Sequence, residues 1–514
     1  MPADDPGTDR PTRAQIQRNA VRGATWTMAA TAITIPLAFV ANVVLARVLG
    51  VEGYGRLAFL TAALEIVVAV TDIGTTAAVI QFGSRAHALG QTGEVQRILA
   101  RAQGFRLLIV APVLSLFIVL LVDLATPVLI AGVLLGVWLP AALAGINDCL
   151  TVENRTATAA KIQLAIAVVI QTAVVVAALL SQQADSTWLV RLALTAVSPL
   201  VAIPLVTKAY RSAVLRPRSP RGLPSGFWKF AIPSGTAGLI GGLVVSRSEV
   251  LLLEWLDTPN AVGLFALAFG IAAHVFGPAN ALTNPLLPAV SSLRAVDADA
   301  IQRAFLRVTR VSVAMVSAIL LLGVPALAVL VDTIYGAEYR TAAALLVVLA
   351  AGIAVSTLSG PVTAFNLSRL ASMRVLFASL IALIANAVLA VALIPMWSIW
   401  GAAIASVLAA VTRVGILVRD ELIALELGWA GIRSAITALA TSAIGAGLVW
   451  WTSRYIPWTP AAVATAVGLG AVLWWATLRC AGATIEPGDR QQIVGVLPRP
   501  LRAGTSRVLS LVTR

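Results

Sequence analysis

Two cysteines and two histidines in 514 residues leave almost nothing from which to build a disulfide framework or a soft-metal site. Cys149 and Cys480 each sit at the end of an apolar run, and His87 and His274 stand alone. Charge is also sparse, at 12% of residues. No paired carboxylates, nucleophile motif, GxxxxGK phosphate loop or His/Cys metal spacing appears. These absences leave no catalytic residue, no cofactor and no metal to assign, so the chain is not expected to be an enzyme. Long connections are missing on one side of the apolar runs, where each link is only about five to ten residues. That excludes the large outer loops with acidic residues expected of membrane glycosyltransferases and polymerases.

What is present is apolar length. Hydrophobic residues make up 59% of the chain, the mean hydropathy is +0.91, and fourteen runs reach spanning length. A hydrocarbon core ~30 Å thick takes about 20 apolar residues in helical form, and backbone groups in lipid must pair within their own segment. The reading is an all-α integral membrane protein with spans near 24–49, 56–82, 105–122, 126–149, 162–181, 188–208, 228–254, 262–290, 308–331, 341–367, 375–395, 399–418, 434–452 and 461–479.

Basic residues fix the expected orientation. With the N-terminus inside, 31 of the 37 Lys and Arg fall on the cytoplasmic side. A multi-pass protein of the cell membrane with both termini cytoplasmic is therefore expected. The net charge of +14 lies in short loops facing one leaflet, where anionic membrane lipids explain it without nucleic acid. The polar first 22 residues lead into a long span with no small-residue cleavage site, which reads as a tail before a retained helix.

The longest cytoplasmic connection among the first dozen spans carries Arg211, Arg216, Arg218 and Arg221 between prolines, and reads as a hinge-like linker. The expected organisation is a tail over 1–22, a six-helix bundle over 23–210, a basic linker over 211–226, a second six-helix bundle over 227–418, two additional spans over 419–479 and a basic tail over 480–514. The segment from Val48 to Ala58 and the segment from Trp255 to Ala266 hold similar tight turns at matching places, which supports duplication. Six-span repeats of this kind suit transporters. Arg85, Arg97, Arg101 and Arg106, with the linker arginines, read as basic amphipathic helices on the inner leaflet.

Three blocks carry a family resemblance. The first is Ala46-Arg47-Val48-Leu49-Gly50 with Gly53-Tyr54-Gly55, then Asp72-Ile73-Gly74 and Ile80-Gln81-Phe82. The second joins Arg247-Ser248-Glu249-Val250 to Val262-Gly263-Leu264-Phe265-Ala266 and Leu287-Pro288-Ala289. The third is Ile334-Tyr335-Gly336, Asn386, Leu393-Ile394-Pro395 and Gly401-Ala402-Ala403. Over roughly 20–420 the chain resembles the polysaccharide-export, Wzx-like flippases of the MOP superfamily, relatives of the MATE exporters and of the peptidoglycan-precursor flippase. Glu249, where many members have Asp, and Leu264-Phe265, where Leu-Tyr is common, depart from the pattern. The resemblance implies a V-shaped pair of six-helix bundles around a cavity, here with two extra helices. It also implies transfer of a polyprenyl-diphosphate-linked oligosaccharide to the outer leaflet, with polymerase or glycosyltransferase proteins as partners.

Polar residues inside spans are the site candidates. Thr61, Glu65, Val68, Asp72 and Thr76 make one helical stripe, and Thr27, Thr31, Thr34, Ala38 and Asn42 make another. An intramembrane acid such as Glu65 needs a cavity or a partner, and Glu65 and Asp72 are the suspects for cation coupling. Asp72 also reads as a residue that caps or pairs at a helix break near Gly74. Arg247 has two readings, a diphosphate contact and an arginine snorkelling to the interface; Glu249 is two residues on and needs its own partner. Arg47 reads mainly as an interfacial anchor. Ser356, Ser359, Thr363 and Asn366 share a face leading to Arg369 and Arg374, which either receive a diphosphate or simply obey the topology rule. Asn284 lies on the face of His274, a histidine expected to be packed and hydrogen-bonded. A MATE-like exporter of cationic compounds and a peptidoglycan-precursor (lipid II) flippase are the alternative functions.

Overall fold

A computed structural model describes residues 13–482 apart from 122–125, 243–247, 282–285, 287–289, 291–297 and 370. Among the described residues every regular element is helical. Twelve helices are long and apolar enough to cross a bilayer. The fourteen-span reading needs the first of them, 44 residues long, counted twice, and one more span across the undescribed residues 243–247. The described residues divide into two compact units at Gly241/Gly242.

The first unit opens with α1, Arg13–Asp72, which is broken at Gly50 (φ 67°, ψ 179°). The expected turn between the first two spans is thus a single glycine in a conformation L side chains avoid. A second break at Ile73 and Gly74 separates α2, Thr75–Ala88, so the stretch read as one span over 56–82 is two helices. Helix α3 runs Thr92–Phe105, widens by a π turn at 106–110 and continues over Ala111–Leu121. Helix α4 runs Thr126–Val133, has a π turn at 134–138 and continues over Leu139–Val152. Next come α5, Thr156–Ser181, and α6, Ala184–Val197. Helices α7, Lys208–Val214, and α8, Phe227–Gly242, complete the unit.

Its core joins Ile98 and Leu99 of α3, Ile146 and Leu150 of α4, Tyr210 of α7, and Phe227 and Ala231 of α8. Helix α8, assigned by sequence to the second bundle, packs here. Gly74 and Gly235 let it lie directly on the α1–α2 break: a Cβ on Gly74 would stand 2.0 Å from the Ala231 carbonyl oxygen.

The second unit begins with α9, Ser248–Leu256, and α10, Pro259–Ala281. Helix α11 runs Ala298–Ala318 and continues through a π turn over Val324–Tyr335. Helices α12, Arg340–Ser368, α13, Ser372–Trp397, and α14, Ile399–Ala424, follow. The two additional helices are α15, Arg433–Ser453, and α16, Thr459–Cys480. Phe305 and Phe365 meet edge to face at 5.2 Å in its core with Leu417. Gly401 brings α14 against the α13 backbone, where a Cβ would lie 2.3 Å from the Leu393 carbonyl oxygen; small residues at such contacts are how membrane helices pack closely. Large apolar side chains such as Val113, Val388 and Ile444 are exposed, as expected where lipid covers them.

Candidate functional site

Helix α3 buries Val95, Ile98, Leu99 and Ala102 on one face, and Arg106 falls on the same stripe at the next turn. Its side chain is 1% exposed, which corrects the reading of Arg106 as part of a surface helix. The physical reason is that helical period, not proximity to a loop, decides which way the residue points. Two carboxylates hold its guanidinium. Nη2 lies 2.9 Å from Asp72 Oδ1, and Nη1 lies 3.1 Å from Asp148 Oδ2. Nε donates to Thr75 Oγ1 and Nη2 to Thr76 Oγ1, both at 2.7 Å.

Asp72 has a second task at the helix break. Its carboxylate accepts the backbone N–H of Gly74 at 3.2 Å and of Thr76 at 2.9 Å. The first turn of α2 has donors without intrahelical partners, and Asp72 satisfies them. The break at Gly74 and the buried arginine are therefore one construction.

A cavity of about 270 Å³ adjoins this cluster, lined by Val68, Asp72, Thr76, Arg106, Asn147 and Thr195 among others. Three positions of the stripe read from the sequence, Val68, Asp72 and Thr76, thus share one wall. Glu65, one turn away, is exposed on α1, as is Arg47, while Asn42 is half-buried. Asp148 and Arg106 were not among the sequence candidates. The signal for Asp148 was available, since an acid inside an apolar run calls for a partner.

The second unit has a different kind of buried acid. Glu249, 0% exposed, accepts Asn386 Nδ2 at 3.0 Å and Ser248 Oγ at 3.0 Å. Asn386 Nδ2 also lies 2.8 Å from Ser248 Oγ. Asn386 Oδ1 is buried with no donor among the described residues. Arg247 and Asn284 lie outside the described residues.

At the polar ends of α12–α14, Arg369 Nε bonds Glu421 Oε2 at 2.9 Å, Nη2 bonds Asn366 Oδ1 at 2.9 Å, and Asp420 pairs with both Arg369 and Arg374. Asn366 is fully buried and its amide donates to the Val362 and Leu417 carbonyls. The guanidiniums that the sequence offered to a diphosphate are engaged by acids, which lie some fifty positions away in sequence. Deeper in the same bundle, Arg413 donates to Ser379 at 3.1 Å and Ser359 at 3.5 Å.

Both histidines have partners. His274 Nδ1 lies 2.6 Å from the Gly270 carbonyl, and His87 Nδ1 lies 2.8 Å from the Tyr210 hydroxyl. Burial pushes the Tyr210 phenol above its ordinary range. Cys149 and Cys480 are free thiols.

The fold has solved counterparts. A lipid II flippase, MurJ, in an inward closed conformation matches with a TM-score of 0.63 at 12% identity, covering 88% of this chain and 98% of that one. An inward-facing multidrug resistance MATE family transporter of the MOP superfamily matches with a TM-score of 0.59 at 14% identity, covering 78% of this chain and 99% of the other. A eukaryotic MATE transporter, AtDTX14, gives 0.52 at 13% identity, with 82% and 99% covered. No curated protein sequence matches the chain. The profile of one family, described as polysaccharide biosynthesis protein, matches residues 20–294. That match is shorter than the 20–420 of the resemblance but still takes in more than half of the chain, and with the fold it makes this membrane protein a member of the polysaccharide biosynthesis protein family.

Proposed function

We propose that the protein is a flippase that moves a polyprenyl-diphosphate-linked oligosaccharide from the cytoplasmic to the outer leaflet by alternating access, with both termini in the cytoplasm. The observation that carries this reading is the family match over residues 20–294 on a helical fold similar to a lipid II flippase. Physics supplies the need. A diphosphate and many hydroxyls cannot cross hydrocarbon unsolvated, since an isolated charge there costs on the order of tens of kcal/mol. Polar walls within the spans, such as the cavity beside Asp72, Thr76 and Arg106, are what replaces water. Arg247 is our candidate contact for the diphosphate, and Glu65 and Asp72 are candidates for coupling. The substrate would come from membrane glycosyltransferases and pass to a polymerase.

Leaflet accessibility of lipid-linked oligosaccharide in cells with and without the protein tests this directly. Accumulation on the cytoplasmic side in its absence is the expected result, with a matching defect for Arg247→Ala. Unchanged lipid distribution would contradict it. One observation favours a second reading, export of small organic cations: Glu249 is a fully buried acid whose bonded partners are neutral. Resistance to cationic compounds on expression, with normal lipid distribution, would select that reading. Arrest of wall growth on depletion would instead select lipid II as the substrate.

A further inference from the structure

Four arginines of the first unit, Arg97, Arg101, Arg216 and Arg218, line a single cavity of about 280 Å³ together with Gln96 and Ser212. The concavity is built by a strap of chain laid across α3. The backbone N–H of Arg218 donates to the Ala100 carbonyl at 2.9 Å, and Arg101 donates to the Gly222 carbonyl. Gly104 is where the strap lies closest: a Cβ there would stand 1.7 Å from the Arg218 carbonyl oxygen. The segment that reads from sequence as a hinge is tied to α3 at three points, and the tie sets Arg216 and Arg218 beside Arg97 and Arg101.

The charges in this pocket are not balanced from within. Arg97 pairs with Glu94 at 2.8 Å, and Arg101 uses one N–H on Gly222. The side chains of Arg216 and Arg218 make no hydrogen bond or ion pair among the described residues. Like charges gathered in one concavity repel unless an anion sits among them. A guanidinium offers a planar fork suited to phosphate oxygens.

Depth points to the source of the anion. At 1.5 Å per helical residue, Arg101 lies ~6 Å and Arg97 ~12 Å before Phe105, where the apolar run begins. The headgroup zone of a bilayer adds about 5–8 Å on each side of a ~30 Å core. On a helix that follows the bilayer normal, this sets Arg101 level with the lipid phosphates and Arg97 just beyond them.

We propose that the pocket of Arg97, Arg101, Arg216 and Arg218 is a binding site for the phosphate group of an anion, supplied by a phospholipid headgroup of the adjoining leaflet. The site does not depend on the flippase reading. The test uses the purified full chain and the variant Arg216→Gln/Arg218→Gln, which leaves the Arg218 backbone hydrogen bond in place. Arg303→Gln/Arg419→Gln, with two exposed arginines removed elsewhere, is the charge-matched control. Native mass spectrometry reads retention of phosphatidylglycerol against phosphatidylcholine, and calorimetry reads binding of inorganic pyrophosphate. The expected result is preferential retention of phosphatidylglycerol that falls roughly tenfold in the pocket variant and not in the control, as loss of direct guanidinium–phosphate hydrogen bonds implies. Pyrophosphate binding lost in the same variant, without a lipid preference, would support the site and move the source to a soluble phosphate. A pocket variant matching wild type, or the control, in both arms would overturn the proposal.

Discussion

Arg106 in the first unit and Glu249 in the second are both fully enclosed, yet their surroundings differ in kind. Arg106 has two carboxylates and two threonine hydroxyls around it. Glu249 has one amide and one serine hydroxyl, and no basic group among its hydrogen-bond partners in the described residues. The first arrangement ties three helices, α1, α3 and α4, and the bend at Gly74 into one charge-compensated unit. The second satisfies hydrogen bonds but gives the acid no counter-charge among the described residues, which is costly in a medium that solvates it poorly. Compensated charge such as Arg106 holds helices together, and we propose that Glu249 instead marks a functional position. Arg369, enclosed with Asp420 and Glu421, belongs with the first kind.

Removing Arg106 should break the comparison most forcefully. Arg106→Leu strands Asp148 in the protein interior and removes the cation beside the partly exposed Asp72, and loss of about 3–5 kcal/mol is expected, read as a large fall in Tm in detergent or as failure to accumulate. Gly235→Ala attacks the same construction through sterics, since its Cβ would stand 2.2 Å from the Ile73 carbonyl carbon. A loss near the upper end of the about 1–3 kcal/mol typical of overpacking is expected from chemical unfolding. Arg369→Gln breaks the ion pairs with Asp420 and Glu421, but Arg369 is 16% exposed, so about 1–2 kcal/mol is expected from the same measurement.

Glu249→Gln sharpens the contrast from the other side. Glutamine keeps an acceptor for Asn386 Nδ2 and places its amide nitrogen beside the Ser248 hydroxyl. A stability change within about 1 kcal/mol is expected, together with a clear fall in transport. A destabilisation as large as that of Arg369→Gln would make Glu249 a structural residue and dissolve the distinction.

Much of the fold was legible because the bilayer permits few solutions. Apolar runs of about 20 residues must be helices, and the break beside Asp72 could be read from Asp72-Ile73-Gly74. Arg106 was misread because it stands at the edge of an apolar run, where counting residues assigns it to a loop while the period of Val95, Ile98 and Ala102 assigns it to the core. The partners of the other candidates lie far along the chain. Asn386 is 137 positions from Glu249, and Glu421 is 52 from Arg369. Composition and spacing identify residues that need a partner, but only the packing of helices says which one they find. The strap over α3 was hidden for another reason: its bonds are made largely by backbone atoms, which carry no residue signature.

The most direct test of the central claim is transfer itself, measured with purified protein in vesicles. A fluorescent polyprenyl-diphosphate-linked oligosaccharide would be placed in both leaflets and an impermeant quencher added outside. If the protein is the flippase proposed, the inner-leaflet pool becomes accessible to quencher in vesicles containing the wild-type chain and stays protected in empty ones. An inner pool that stays protected under imposed proton, sodium and electrical gradients would contradict the account.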